Sequence, residues 1–286
     1  MRATASSRTF HSAIAFMHGF APEVDMSRLS AVEMADNNTL CMQQTGHQCD
    51  CLAVRSGFLS TFSVSFAQRR SAIRNRPSVQ RIAAKLGMTV DELPPLSHVF
   101  DIAMTHFCHG MAIGCLGTLF VEDTFDIIDE AGRLGVLDEH YQRLARLKTQ
   151  PLLYEIAHRM KWQSDNLLPM VLPKFILYSG HDSTIEPFAA AIGVSDGLWP
   201  RYASRLVLEL YAPTKEAGSD TVAGIRVLYN GKDVTRHIAF CKDVVSDLTP
   251  SVCPLNAFLD FVNDRKFSGG PGENGYTEQC KNFFTK

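Results

Sequence analysis

Residues 174–193 read KFILYSGHDSTIEPFAAAIG, Lys174 to Gly193. Phe175 to Tyr178 form a short apolar run that reads as a buried strand, and Ser179 and Gly180 break it. Pro187, Phe188, Ala189 to Ala191 and Ile192 then read as helix, with Gly193 as its stop. The pattern is strand, tight turn, helix. Such a crossing places the turn at the carboxyl edge of a sheet, beside a helix N-terminus. Free backbone N–H groups and the positive end of the helix dipole favour anions there. His181 and Asp182 occupy this turn. An imidazole next to a carboxyl group suits proton transfer onto the leaving oxygen of a phosphate ester. The plain alternative is an ordinary βα loop with two polar residues.

Composition sets the bounds around this stretch. The chain has 286 residues, of which 45% are hydrophobic and 20% charged, with a net charge of −2 and a pI near 6.5. That is a globular balance, enough for one large domain or two ordinary ones. Nothing steers the chain to nucleic acid or to an acidic membrane surface. The 8 cysteines are compatible with disulfides and a secretory compartment, although their pairing cannot be read from sequence. Asn37-Asn38-Thr39 is a glycosylation sequon at Asn37 and leans the same way. Cys41, His47, Cys49 and Cys51 can be drawn as a zinc site, but the spacing fits no common structural pattern. Cys-x-Cys is tight for two ligands of one tetrahedral ion, so no metal and no cofactor is expected.

No run reaches the ~18 apolar residues of a transmembrane helix. The longest, Met111 to Val121, is interrupted by glycines. Residues 1 to 22 carry arginines and serines without an acid, which resembles a targeting peptide. The rival reading is a folded helix capped by Ser6 or Ser7, with an inner stripe of Phe10, Ala13, Ile14, Met17 and Phe20.

Residues 23 to 51 read as polar loop. Helices are expected over 53–70, from Pro77 to a stop at Gly87, and over 96–118, 123–148 and 151–162. After Pro169 and Pro173 the pattern changes. Strands are expected over Arg205–Tyr211 and Ile225–Tyr229, with Asn230-Gly231 as a hairpin turn. A returning strand follows over Val234–Phe240, then a helix over Leu255–Val262 and a glycine-rich loop over 268–275. This predicts an α/β protein: residues 1–50 and 166–286 build a sheet domain, and 51–165 form a helical cap inserted in it.

Two motifs carry a resemblance. Arg2-Ala3-Thr4, followed by Ser7-Arg8-Thr9-Phe10-His11-Ser12-Ala13, resembles the internal Arg-Ser/Ala-Thr…Arg-Thr…Ser-Ala motif of the histidine acid phosphatases. Tyr178-Ser179-Gly180-His181-Asp182-Ser183-Thr184 resembles that family's His-Asp motif, in the same order along the chain. The stretches TFHSAIAFMHGFAPEVD, DGLWPRYASRLVLELY and VLYNGKDV are most similar to the branch that acts on a phosphorylated sugar of the proteoglycan linkage.

The resemblance implies a phosphoglycerate mutase-like sheet with a helical insertion, and phosphomonoester hydrolysis through a phosphohistidine. It implies a phosphorylated sugar or glycan as substrate and a secretory setting, the Golgi in particular. On it, Arg2 is the guanidinium that grips phosphate, His181 also contacts the phosphoryl oxygens, and Asp182 is the general acid. Arg8 is expected in a structural ion pair.

The family's attacking histidine lies in an Arg-His-Gly-x-Arg-x-Pro stretch on the first core strand. None of the ten histidines here is preceded by Arg and followed by Gly. The expectation is therefore a chain that lacks the nucleophile and its strand, as in an N-terminally shortened product. The alternatives are an inactive phosphatase-like module that binds a phosphorylated glycan or protein partner, or an unrelated protein behind a cleaved targeting peptide.

Overall fold

The computed structural model describes residues 1–23, 32–36, 38–41, 49–55, 73–94, 96–110, 117–136, 139–165, 173–211, 222–245, 251–264 and 274–282. In chain order the elements are β1 (Arg2–Ala3), α1 (Ser7–Phe20), β2 (Glu33–Met34), α2 (Pro77–Leu86), α3 (Leu96–Cys108), α4 (Gly117–Val136) and α5 (Glu139–Asp165). There follow β3 (Tyr178–Ser179), α6 (Asp182–Ala191), β4 (Leu206–Tyr211), β5 (Gly224–Tyr229), β6 (Lys232–Asp233), a 3₁₀ turn (Thr235–His237), β7 (Cys253–Pro254), α7 (Leu255–Val262) and α8 (Asn274–Asn282). The chain divides into two compact units. One comprises residues 1–57, 143–194 and 200–286, and the other residues 58–142 and 195–199. The division places α5 from Arg143 onward with the sheets, rather than ending a helical block at 165.

In the larger unit β1 is the middle strand of a parallel sheet of order β2-β1-β3. Arg2 pairs with Glu33 on one side and Tyr178 on the other, and Ala3 pairs with Met34 and Ser179. Residues 23–51 therefore hold a strand where a loop is expected, and Arg2 lies in a strand rather than at a loose end. Two-residue strands are too short to leave an alternating pattern.

A second, antiparallel sheet joins β4, β5, β6 and β7. Asn230 (φ 50) and Gly231 (φ 84) turn β5 into β6, the left-handed pair that a two-residue hairpin demands. The returning strand ends at Asp233, not at Phe240. Val227 donates its N–H to the Thr235 hydroxyl at 2.9 Å, and Thr235 N–H is taken by the Asp233 carboxylate at 3.0 Å. One backbone bond still follows, from Val234 N–H to Val227 O at 3.0 Å, and with these side-chain bonds beside it the chain curls into the 3₁₀ turn.

The core of this unit is apolar. Phe188 and Ala189 of α6 and Ile192 at its C-cap cluster with Ile225 and Val227 of β5, Phe258 and Val262 of α7, and Leu152, Leu153 and Ala157 of α5. α5 runs through Pro151 without a break, where two separate helices are expected. Its residues 144–153 are buried without exception, so tertiary packing outweighs the lost N–H of the proline. α1 buries Thr9, Ala13 and Met17, a narrower stripe than expected. Ile14 is 39% exposed, and Phe16 and Phe20 stack with Phe175 on the surface instead.

Three disulfides tie the same unit: Cys41–Cys49, Cys51–Cys280 and Cys241–Cys253. Cys41, Cys49 and Cys51 are therefore buried half-cystines rather than the thiolates a zinc ion requires. Cys108 is a free, exposed thiol.

In the smaller unit, α2 begins with Pro77 at its first turn and ends on Gly87 (φ 66), as its sequence predicts. Val79, Ile82 and Ala83 repeat at helical spacing on its buried face. They pack with Val99 and Ala103 of α3 and Ile127 of α4. Arg76 and Ser78 both reach Asp126, and Arg81 reaches Asp123, so the rim of this core is ionic. The Asn37 sequon, residues 56–72 of the expected 53–70 helix, and residues 268–273 of the expected loop lie outside the described residues. Asn274 and Gly275, expected in that loop, open α8.

Among the described residues no helix is long and apolar enough to cross a membrane.

Candidate active site

His181 is the N-cap of α6 and Asp182 its first residue. The junction is fixed by a glycine and a threonine. The His181 N–H donates to the Thr184 hydroxyl at 3.1 Å, a cap that satisfies an otherwise orphaned group. A Cβ on Gly180 would come within 2.7 Å of that same hydroxyl, so any side chain there would displace the cap. Helix therefore begins five residues before Pro187, earlier than the apolar pattern alone marks. Ser183 N–H donates to the exposed Asp182 carboxylate at 2.6 Å.

The turn is held to the first segment of the chain by direct contacts. Thr4 N–H donates to Ser179 O at 3.2 Å, and the Ser179 hydroxyl donates to Thr9 O at 2.8 Å. The Thr4 hydroxyl lies 2.8 Å from His181 Nε2 and 2.9 Å from the Thr9 hydroxyl. The parallel pairing of β1 with β3 thus brings both sequence motifs to one place.

The charges around His181 are not those expected from the sequence. Burial lowers the His181 pKa first, Arg8 adds to the effect, Asp182 opposes it, and Lys148 lowers it further. Arg8 is exposed on the first turn of α1, and Lys148 is 6% exposed on α5. Burial pushes the Lys148 amine down to about 8, against the pull of Asp182. The imidazole thus lies within electrostatic reach of two cation-capable groups and a carboxylate. Lys148 left no signal in the sequence, and Arg8 was expected in a structural ion pair.

Arg2 is committed elsewhere. In-register residues of paired strands share a face, so Arg2 and Tyr178 point the same way. Glu155 of α5 collects both: it takes Arg2 Nη1 on its two oxygens at 2.8 and 2.7 Å, and the Tyr178 hydroxyl at 2.7 Å. Arg159 adds a bond to the same carboxylate at 2.9 Å, and Glu33 takes Arg2 Nε at 3.4 Å. A guanidinium so engaged ties the parallel sheet to α5 through its Nη1 and to β2 through its Nε. Further along α6, burial pushes the Glu186 carboxyl up to about 8, which keeps it largely neutral at pH 7.

Among the described residues no three His, Cys, Asp or Glu side chains cluster as metal ligands would.

No protein-family profile matches the chain. Among curated proteins it is 31% identical to 2-phosphoxylose phosphatase 1 of Danio rerio, over 93% of this chain and 56% of the relative. It is 29% identical to the protein of that name in Homo sapiens, over 96% of this chain and 56% of the relative. Prostatic acid phosphatase of Bos taurus is 30% identical over 54% of this chain and 38% of its own length. The chain thus spans a little over half the length of the 2-phosphoxylose phosphatases it matches. Among solved structures, the phytase from Citrobacter braakii superposes with a TM-score of 0.58 at 16% identity, covering 92% of this chain and 78% of the phytase.

Proposed function

The chain is related to the histidine acid phosphatases in sequence and in fold, and we propose that it carries the leaving-group half of a phosphomonoesterase site. One observation supports this above others: the His181–Asp182 pair caps a ten-residue helix with Arg8 and Lys148 in electrostatic reach. A helix N-terminus with a guanidinium and a buried amine in electrostatic reach of it is an environment that favours a phosphoryl dianion. Asp182, exposed beside it, is placed to give a proton to the departing alkoxide. Arg8 takes the part that the sequence motif assigned to Arg2. The names of the relatives point to a phosphorylated sugar, 2-phosphoxylose, as the substrate, and the motif resemblance puts that sugar on a glycosaminoglycan linkage. The three disulfides fit the oxidising lumen of the secretory pathway, and the Golgi is where such a linkage sugar would be met.

The sequence contains no Arg-His-Gly, so it offers no attacking histidine of the family's kind. For these 286 residues that favours a second reading: a phosphatase-like module that binds a phosphorylated glycan or protein without turning it over. Both readings require anion binding at His181.

Titration with inorganic phosphate or orthovanadate, followed by calorimetry, tests this. Arg8→Met is expected to weaken binding about tenfold or more, the loss of one charge-assisted contact. Arg2→Met is expected to leave affinity within about twofold and to cost about 1–2 kcal/mol of stability, because its bonds are to Glu155. Equal losses of affinity in the two variants would return Arg2 to the site and overturn the assignment. Hydrolysis of p-nitrophenyl phosphate by this chain that survives Asp182→Asn and His181→Ala would refute the site altogether.

A further inference from the structure

We propose that Thr4 and Thr9 form a one-way hydroxyl relay that fixes His181 in the tautomer protonated on Nε2, making Thr4 a positioning residue for the imidazole. The direction of the relay follows from counting protons. Thr9 has one hydroxyl proton, and its oxygen lies 2.8 Å from Ser6 O and 3.1 Å from Thr4 O. Carbonyl oxygens only accept, so that proton is committed to them. Towards the Thr4 hydroxyl, 2.9 Å away, Thr9 can only accept, and Thr4 must donate.

Its single proton spent, the Thr4 oxygen meets His181 Nε2 at 2.8 Å with a lone pair. Nε2 must therefore carry hydrogen. The opposite sense would set Thr9's lone pairs against two carbonyl oxygens, at a place where Thr4 and Thr9 are each only 3% exposed. A hydroxyl chain that starts on backbone carbonyls has one polarity, and the imidazole at its end inherits it.

The consequence concerns which nitrogen titrates. With Nε2–H held by Thr4, Nδ1 is the basic nitrogen of the neutral ring, and protonation adds a donor there without disturbing the relay. Arg8 from α1, Lys148 from α5 and Asp182 from α6 are the charged groups that act on the ring. The two cations oppose that protonation until an anion offsets them. On the phosphate-site reading, then, binding of a phosphoryl dianion is accompanied by proton uptake at His181 Nδ1. The tautomer itself rests on geometry alone.

Histidine ¹⁵N labelling with two-bond ¹H–¹⁵N correlation spectra at pH 7.5 tests the proposal, the His181 signals being assigned by their loss in His181→Gln. The unmodified chain is expected to show a protonated Nε2 and an unprotonated Nδ1. Thr9→Val removes the acceptor that holds the Thr4 proton. Thr4 is then free to donate to Nε2, and at least half of the ring population is expected to move to the Nδ1–H form. Thr9→Ser should keep the original tautomer. An Nδ1–H ring in the unmodified chain would overturn the relay, whether or not Thr9→Val folds, and so would an unchanged tautomer in folded Thr9→Val. Adding inorganic phosphate separates the two readings: an Nε2–H ring whose titration midpoint does not move with phosphate upholds the relay and sinks the phosphate site.

Discussion

Serine replacements at Cys51 and Cys280 are expected to destabilise the larger unit by about 5 kcal/mol, more than any other change argued here. The bridge joins positions 229 residues apart, whereas Cys241–Cys253 spans 12. A cross-link acts chiefly by removing conformations from the unfolded chain, and the effect grows with the logarithm of the loop. Loops of these sizes give about 5 and about 3 kcal/mol at 25 °C. The whole stability of a domain is only about 5–15 kcal/mol, so the chain without Cys51–Cys280 should lose its fold near body temperature. Both half-cystines are buried, Cys51 at 1% and Cys280 at 6% exposure, and the serine hydroxyls would add a desolvation cost. Urea denaturation of the paired serine variants, followed by near-ultraviolet circular dichroism, would measure the two costs side by side. A smaller loss for Cys51/Cys280 than for Cys241/Cys253 would mean that the long bridge does not act by constraining the unfolded chain. The expected dependence also ties the fold to an oxidising compartment, because a reducing one would open the bridge that contributes most.

Much of this architecture is legible in the sequence, and the parts that are not share a cause. Pro77 and Gly87 bracket a helix, Asn230-Gly231 turns a hairpin, and the alternation over residues 206–211 makes a strand, each through a rule that acts within a few residues. The turn and helix around His181 are legible for the same reason, but the strand before them is not: β3 is Tyr178–Ser179 rather than Phe175–Tyr178, so Ser179 continues the strand instead of breaking it, and Phe175 is 43% exposed. β1 and β2 are not, because two residues cannot show a period. Arg2 and Arg8 lie six positions apart in one motif, and its resemblance gives the phosphate to Arg2 and a structural ion pair to Arg8. What separates them is Glu155, 153 residues away from Arg2, which reaches the face that the Arg2–Tyr178 pairing selects. Thr4 and Thr9 were visible as motif letters, but the bond from Thr4 to His181 spans 177 residues. Lys148 was hidden in another way. It lies in a stretch of α5 buried on every side, residues 144–153, and such a helix has no polar face against which a buried lysine would stand out.

That burial makes Lys148→Met the most informative substitution at the site, with an expected gain of about 3 kcal/mol in stability at pH 7 and a loss of about tenfold in phosphate affinity. The amine is held at about 8 in the folded chain, against about 10.4 in an unfolded one. Below pH 8 both states are charged, and the folded state bears the cost of a charge taken out of water, offset in part by the pull of Asp182. As pH rises from 8 towards 10.4 the folded amine is already neutral while the unfolded one still binds a proton. Stability tied to this group therefore climbs across that interval. The gain from methionine, which keeps the length of the stem without the charge, should be complete at pH 7 and vanish by about pH 10.4. Thermal denaturation of the two chains across this range would show it as converging curves. On the phosphate-site reading, a buried amine that costs the fold this much is retained for the anion it helps to hold. If methionine stabilises the chain and phosphate binds as before, the charge near Asp182 serves no anion, and Arg8 with the helix N-terminus must hold the phosphoryl group alone. If methionine destabilises the chain instead, the ammonium is a structural partner of Asp182, and its place in the site falls with that result.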